Sequence, residues 1–222
     1  MTSPPRLAVV VLISGHGSNL QAIIDAASNG LPIDIVAVIS NRPNVYGLER
    51  AAQAGIETAL LQHKDFPDRD SFDQALVALI DHYTPELVIL AGFMRILSAD
   101  FVRHYTGRIL NIHPSLLPKH RGLDTHQRAL DSGDTLHGAT VHFVTEELDG
   151  GPLISQAQVT VESSDNASTL AKRVLDKEHQ LYPLAIRWFA QGRLKLDDSE
   201  NVILDNKKID QPIIYAPQDA IQ

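Results

Sequence analysis

Short apolar runs alternate with stretches of helical periodicity through the first half of the chain, and this alternation constrains the fold more than any other feature. Strands that are buried on both faces read as continuous apolar runs, and parallel strands need long, usually helical, crossovers between them. The pattern therefore predicts an α/β fold with helices on both faces of a mostly parallel sheet. The predicted strands are Leu7–Ile13, Ile33–Ile39, Glu57–Leu61, Leu87–Ala91 and Arg108–Ile112, and the predicted helices are Asn19–Ser28, Gly47–Ala54 and Arg69–Tyr83.

The second half of the chain shows a different pattern, in which apolar and polar residues alternate one by one. Two such stretches, Ala139–Val144 and Gln156–Val161, lie on either side of an Asp-Gly-Gly-Pro turn. Alternation around a turn is typical of paired antiparallel strands. We therefore expect an antiparallel pair added to the parallel sheet.

A helix and a short tail complete the predicted fold. The helix covers about 166–190, where Pro183 should kink it or divide it in two. The tail from Leu194 is expected to form a hairpin around Asp205-Asn206. Because no linker, repeat or low-complexity run occurs, we predict one domain, 1–222, made of three parts: 1–112, 113–193 and 194–222.

Composition narrows the functional classes. The 222 residues include no cysteine, which excludes a disulfide scaffold and a cysteine nucleophile and fits a reducing cytosol. A formal charge of −8 argues against a broad nucleic-acid-binding face. The run Leu7–Ile13 is too short to span a bilayer and no cleavage pattern follows it. We expect a cytoplasmic protein without nucleic-acid or membrane partners.

The turn Ser14-Gly15-His16-Gly17-Ser18-Asn19 leads from the first predicted strand into a helix. Glycines let the backbone approach an anion, and a helix N-terminus offers N–H groups and partial positive charge. The third glycine of the dinucleotide fingerprint and the P-loop lysine are both missing. Two interpretations stay open: a phosphate-binding turn, or an ordinary turn capped by Ser18 or Asn19.

Asn111 and His113 leave the C-terminal end of a predicted strand, the edge that carries the site in doubly wound sheets. Two residues apart in extended chain, they project to the same side. An amide donor and an imidazole aimed at one point can stabilise an oxyanion and transfer protons. The alternative is a turn whose polar side chains bond only to backbone.

Asp149 lies in the segment Glu146–Pro152, beside two glycines. Most such segments are simple hairpin turns. The functional interpretation places Asp149 next to His113, where a carboxylate would favour the protonated ring and orient it.

The segment Gly92–Leu97 carries apolar side chains on a connection, which suits a flat heterocycle or ordinary packing. The 10 histidines show no spacing typical of metal ligands, so we predict no metal site.

Taken in order, these segments resemble the folate-dependent formyltransferases, and among them the phosphoribosylglycinamide formyltransferase (glycinamide ribonucleotide transformylase) family. The resemblance runs from about Leu7 to Leu194. The segments that carry it are Ser14-Gly15-His16-Gly17-Ser18-Asn19-Leu20-Gln21-Ala22-Ile23, Ala91-Gly92-Phe93-Met94-Arg95-Ile96-Leu97, Asn111-Ile112-His113-Pro114-Ser115-Leu116-Leu117-Pro118, Val141-His142-Phe143-Val144 and Leu148-Asp149-Gly150-Gly151-Pro152.

This resemblance implies a single-domain Rossmann-like formyltransferase fold, whose half 1–112 binds the nucleotide. It implies formyl transfer from 10-formyltetrahydrofolate to the amine of glycinamide ribonucleotide, without a covalent enzyme intermediate, by a monomer or weak homodimer. The implied site residues fall into three groups. They are Asn111, His113 and Asp149 for catalysis; Gly17, Ser18, Asn19 and Glu178 for the nucleotide; and Arg69, Met94, Arg95, Ile96, Leu97 and Asn111 for the folate.

The sequence departs from the family pattern at two positions. Leu175 stands where relatives often carry a polar residue that helps to hold the nucleotide, and Asp124 replaces a histidine common in bacterial relatives. Both bear on nucleotide affinity and loop behaviour.

Three alternative functions compete with this interpretation. A formyltetrahydrofolate deformylase would carry an additional N-terminal domain, and a methionyl-tRNA formyltransferase an additional C-terminal one. A catalytically silent nucleotide-binding module would be indicated by an altered Asn111, His113 or Asp149, and all three residues are present.

Overall fold

The structure, a computed structural model, describes residues 6–216. These residues form two compact units, the first ending at Asn111 and the second beginning at Ile112. The α/β class with mostly parallel strands is confirmed, as is the antiparallel pair in the second half. The division into domains stays a prediction.

Five parallel strands form the sheet of the first unit, in the order β5-β4-β1-β2-β3. From Val9 to Ile13, β1 is completely buried at the centre of this sheet, which explains its continuous apolar sequence. The last two residues of β5 begin the second unit. The strands are β1 (Leu7–Ile13), β2 (Ile33–Ser40), β3 (Thr58–Leu60), β4 (Leu87–Leu90) and β5 (Ile109–His113).

Four α-helices connect these strands. Phe72, Leu76 and Ile80 are buried along one face of α3, as their spacing predicts. Asp68 caps α3 by accepting the N–H of Ser71 at 2.8 Å. The helices are α1 (Ser18–Ser28), α2 (Tyr46–Gln53), α3 (Arg69–His82) and α4 (Ala99–His104), and a 3₁₀ turn covers His63–Asp65.

In the second unit, β6 (Leu136–Phe143) and β7 (Leu153–Thr160) form the predicted antiparallel pair, and β11 (Ile213–Ile214) runs parallel to β7. The helices are α5 (Thr125–Asp131) and α6 (Ala167–Ala190). The tail hairpin is confirmed around Asp205-Asn206, and a third strand extends it. Its strands are β8 (Leu194–Leu196), β9 (Val202–Leu204) and β10 (Lys207–Lys208).

One expectation needs correction. The prediction that Pro183 divides the second-half helix is wrong, because α6 runs unbroken through it. A proline removes one backbone donor, and a helix anchored by the capping box of Asn166 and by a long buried stripe continues past that loss. In β6, the alternation of apolar and polar residues does not mark one buried face and one exposed face, since Thr140 and His142 are buried along with the apolar residues.

No helix within residues 6–216 has the length and apolar character needed to cross a membrane.

Candidate active site

His113 is the last residue of β5, and only 8% of its side chain is exposed. Its Nδ1 lies 3.5 Å from Oδ2 of Asp149, and its Nε2 lies 3.0 Å from the backbone carbonyl oxygen of His120. A carbonyl oxygen only accepts hydrogen bonds, so Nε2 must carry a proton. Because Nδ1 faces a carboxylate, a proton on this nitrogen would be directed at Asp149.

Asp149 lies in the loop between β6 and β7, with a φ of 48° in the left-handed region. Its Oδ2 also accepts the N–H of Gly122 at 2.9 Å, and only 9% of its side chain is exposed. At Gly151 a Cβ atom would lie 1.9 Å from the carbonyl oxygen of Phe143, so this position requires glycine. The tight return of the loop onto β6 thus holds the carboxylate beside His113, 36 residues away in sequence.

His142 is a buried neighbour of this pair that the sequence did not single out. Its Nε2 lies 4.0 Å from Oδ1 of Asp149, and its Nδ1 donates to the carbonyl oxygen of Phe143 at 2.9 Å. Burial lowers the pKa of His142 to about 4. His142 is therefore neutral at neutral pH and does not compete with His113 for the carboxylate charge.

The turn that follows His113 is fixed by buried polar groups on β6 and β7. Thr140 Oγ1 donates to the carbonyl oxygen of Ser115 at 2.6 Å and accepts the N–H of Leu117 at 3.0 Å. Gln156 Nε2 donates to the carbonyl oxygen of Leu117 at 2.8 Å. These bonds explain why polar residues are buried in the hairpin.

The loop after this turn brings the His120 carbonyl to His113. Asp134 holds it: its carboxylate lies 2.7 Å from Nε2 of His120 and 2.8 Å from Nζ of Lys119. These two hydrogen bonds, of which the one from His120 has the larger effect, keep the pKa of Asp134 below its ordinary value.

Asp124, one of the two departures from the family pattern, is exposed and precedes α5 without a side-chain cap.

Two other predicted site residues flank this group in the chain. Asn111 is half-buried on β5, and strand geometry directs its side chain to the same side as that of His113. Glu178 is buried on α6, with 7% exposed. Leu175, the second departure, lies one turn before it on the same helix and is half-buried.

In the first unit, the glycine turn begins α1 without a side-chain cap, so the alternative of a cap by Ser18 or Asn19 is wrong. Gly17 has a φ of 74°, and a Cβ there would lie 2.7 Å from Cα of Gly47. Arg50 on α2 supports the turn, with Nε 3.0 Å from the carbonyl oxygen of His16. An uncapped helix start beside a guanidinium group is suited to an anion.

Residues 91–98 connect β4 to α4 in neither helix nor strand. Met94 and Ile96 are 61% and 54% exposed, whereas Leu97 is buried. The guanidinium carbon of Arg95 lies 4.7 Å from the ring centre of Phe72, so this side chain is directed toward the protein. Arg69 is exposed at the first position of α3.

A metal centre is not evident in the described part of the chain. Among residues 6–216, no three His, Asp or Glu side chains are grouped so that they could hold a metal ion.

Comparison with known proteins relates these features to a family. Residues 7–186 match the model of the formyl transferase family. The phosphoribosylglycinamide formyltransferase of Escherichia coli K12 is 56% identical over 86% of this chain and 91% of its own, and that of Haemophilus influenzae is 47% identical over the same shares. A solved phosphoribosylglycinamide formyltransferase from Coxiella burnetii is 52% identical, with a TM-score of 0.91 over 95% of this chain and 100% of its own. The chain belongs to the formyl transferase family and is an enzyme similar to phosphoribosylglycinamide formyltransferases.

Proposed function

We propose that this enzyme transfers the formyl group of 10-formyltetrahydrofolate to the amine of N1-(5-phospho-D-ribosyl)glycinamide (glycinamide ribonucleotide), a step of de novo purine biosynthesis. One observation carries the proposal: the His113 ring is held between the Asp149 carboxylate and a carbonyl oxygen, in a family of formyl-transferring enzymes. A cationic imidazole at a strand end is suited to a reaction that develops negative charge on oxygen.

The chemistry follows from the charges that the reaction creates. The neutral amine attacks the formyl carbon, and the tetrahedral intermediate carries a negative oxygen and a positive nitrogen. We assign the Asn111 amide and protonated His113 to that oxygen, where one preorganised donor is typically worth ~3 kcal/mol. Asp149, directly or through water, keeps His113 charged. It also helps to move a proton from the amine nitrogen to the folate nitrogen that leaves.

The contact between His113 Nε2 and the His120 carbonyl has a consequence for this mechanism. The same N–H is the donor that the formyl oxygen needs. We therefore propose that the substrate oxygen replaces the His120 carbonyl as acceptor, which requires the loop around His120 to shift.

We assign the nucleotide to two sets of residues. The turn Gly17-Ser18-Asn19 would bind the phosphate, supported by the uncapped start of α1 and the neighbouring Arg50. Glu178 would accept hydrogen bonds from the ribose hydroxyls, for which a carboxylate is a suitable acceptor.

We assign the folate to Arg69, Met94, Arg95, Ile96, Leu97 and Asn111. The exposed side chains of Met94 and Ile96 support this assignment, because a flat heterocycle binds on apolar side chains held in place. The inward-directed side chain of Arg95 leaves this residue to contribute mainly backbone groups.

The decisive experiment measures formyl transfer from 10-formyltetrahydrofolate with two acceptors, glycinamide ribonucleotide and water. We expect transfer to the nucleotide and only background release of formate. Formate release at the same rate without the nucleotide would instead indicate a deformylase. We further propose a cytoplasmic location and a monomer or weak homodimer, which sedimentation across protein concentrations would test.

A further inference from the structure

The 91–98 connection exposes two bulky apolar side chains while lacking secondary structure of its own. Phe93 and Leu97 are buried, each 9% exposed, and Met94 and Ile96 point outward between them. A connection outside helices and strands lacks their regular backbone hydrogen bonds, so its backbone groups need other partners to hold a defined conformation. Two buried polar side chains of the first unit do so, one near each end.

Ser14 holds the beginning of the connection. It follows β1 and is 3% exposed. Its hydroxyl accepts the N–H of Met94 at 2.8 Å and donates to Oδ1 of Asn41 at 2.6 Å. Its own N–H donates to the carbonyl oxygen of Gly92 at 3.1 Å. Because Asn41 is itself 2% exposed, the hydroxyl is fixed from both sides.

Asp73 holds the end of the connection. This residue of α3 is 1% exposed, and its Oδ2 accepts the N–H of Ser98 at 2.5 Å. Its other oxygen and Nε of Arg95 are both buried without a hydrogen-bond partner among the described residues. Burial raises the pKa of Asp73, and this rise is partly opposed by the hydrogen bonding of Ser98 and then by the nearby charges of Arg95 and Arg69. The carboxyl group is thus shielded from solvent and bonded to the end of the connection.

We propose that Ser14 and Asp73 are positioning residues that hold the 91–98 connection in the shape that presents Met94 and Ile96 to the folate. The inference rests on the proposed function, and it assigns these two residues no contact with substrate. Fixing the amides of Met94 and Ser98 orders the segment before the folate arrives. A segment that is already ordered does not lose conformational entropy when the ligand binds, so this cost does not weaken the affinity.

The test uses Ser14→Ala with Ser40→Ala as the matched control. Ser40, the last residue of β2, is also completely buried, and its hydroxyl bonds to the backbone of Arg42. Ser14 is the first residue of the glycine turn, but the bond from Gly47 N–H to the Gly15 carbonyl, which supports the rest of the turn, does not involve the Ser14 hydroxyl. The KM for the nucleotide is therefore an internal control.

A second pair of variants tests the other end of the connection. Asp73→Ala removes the acceptor of the Ser98 amide, whereas Asp73→Asn keeps an oxygen in the same place. The neutral amide should therefore restore most of what alanine loses.

Three readouts distinguish positioning from general damage: amide hydrogen exchange of Met94 and Ser98, calorimetric binding of tetrahydrofolate, and the KM for each substrate. In Ser14→Ala we expect faster exchange at Met94 and a Kd for tetrahydrofolate raised roughly fivefold or more, since the hydrogen bond that holds the Met94 amide is lost. The KM for the nucleotide should stay within about twofold. In Asp73→Ala the faster exchange should occur at Ser98.

The inference is overturned if Ser14→Ala binds tetrahydrofolate as tightly as Ser40→Ala does, or if both KM values rise together. It is also overturned if Asp73→Asn is as weak as Asp73→Ala. A wild-type enzyme that binds tetrahydrofolate but forms no formylated nucleotide would overturn the proposed function instead. The calorimetric comparison would still decide whether the two residues position the connection.

Discussion

Acid should destabilise the second unit through two histidines that are buried in neutral form. His137 and His142 are 1% and 2% exposed, and burial lowers the pKa of each from 6.5 to about 4. For His137, the charges of His126 and His120 lower it further, and Asp134 opposes them. Its Nε2 lies 3.1 Å from Nδ1 of His126, and its Nδ1 has no hydrogen-bond partner among residues 6–216.

The direction and size of the effect follow from proton linkage. Between pH 6.5 and 4 the two rings bind protons in the unfolded chain but stay neutral in the folded chain, so the free energy of unfolding rises with pH. The stability that the two neutral rings contribute is fully present above pH 6.5 and is lost as the pH falls toward 4. From pH 8 to pH 5, each ring should remove about 2 kcal/mol from the free energy of unfolding.

Urea denaturation at pH 8 and pH 5 measures this loss, followed by the fluorescence of Trp188, the one tryptophan of the chain. We expect His137→Gln to be less stable than the wild type at pH 8. Since the variant lacks the titrating ring, the difference should shrink by about 2 kcal/mol at pH 5. Ser155→Ala, a buried and non-titrating position on β7, is the control and should show the same difference at both pH values. A His137→Gln difference that is independent of pH would refute the reasoning.

Three further predictions concern substrates and folding. Removing the phosphate of the nucleotide should lower kcat/KM strongly, because charge-assisted hydrogen bonds to the 17–19 turn are worth about 1.5–3 kcal/mol each. Equal kcat/KM for the nucleotide and its dephosphorylated form would contradict the assignment of the phosphate to this turn. Ile96→Asp should weaken tetrahydrofolate binding in calorimetry far more than nucleotide binding, whereas Leu60→Asp, at a 43% exposed position on β3, should change neither. The reverse order would reject this folate site. Gly151→Ala should lower the free energy of unfolding by about 1–3 kcal/mol, as overpacking does, because its Cβ would meet the Phe143 carbonyl; an unchanged urea midpoint would contradict that packing.

Local patterns predicted the long elements of the fold but missed some short ones, namely α4, α5 and β11. The apolar run of β1 and the periodic residues of α3 follow directly from burial on two faces and on one face. By contrast, α4 and α5 have six and seven residues, about two turns, which is too few to establish a period. The two residues of β11 form a strand only because they pair with β7, more than 50 residues earlier.

The candidate site could be predicted only in part, because its contacts join residues that are distant in sequence. The resemblance named His113 and Asp149, but no spacing rule indicates that residues 36 positions apart lie 3.5 Å from each other. The His120 group that contacts His113 is a backbone carbonyl, which every residue carries. Ser14 and Asp73 act through backbone amides distant in sequence, so only the folded structure relates them to the 91–98 connection.

The role of Asp149 is the sharpest test of the proposed chemistry. Asp149→Asn keeps the size of the side chain and an acceptor for the Gly122 N–H, but it removes the negative charge facing His113. Since a positive charge on His113 would then lack its carboxylate partner, kcat should fall by about 100-fold, while the KM for the nucleotide changes little. His113→Ala should be at least as damaging, and the double variant should lose less than the sum, because the two residues act as one unit. Glu147→Gln, which changes an exposed carboxylate of the same loop, is the control and should keep the wild-type kcat. Near-normal kcat in Asp149→Asn across pH 6–9 would mean that His113 does not need this carboxylate, and the mechanism would have to be abandoned.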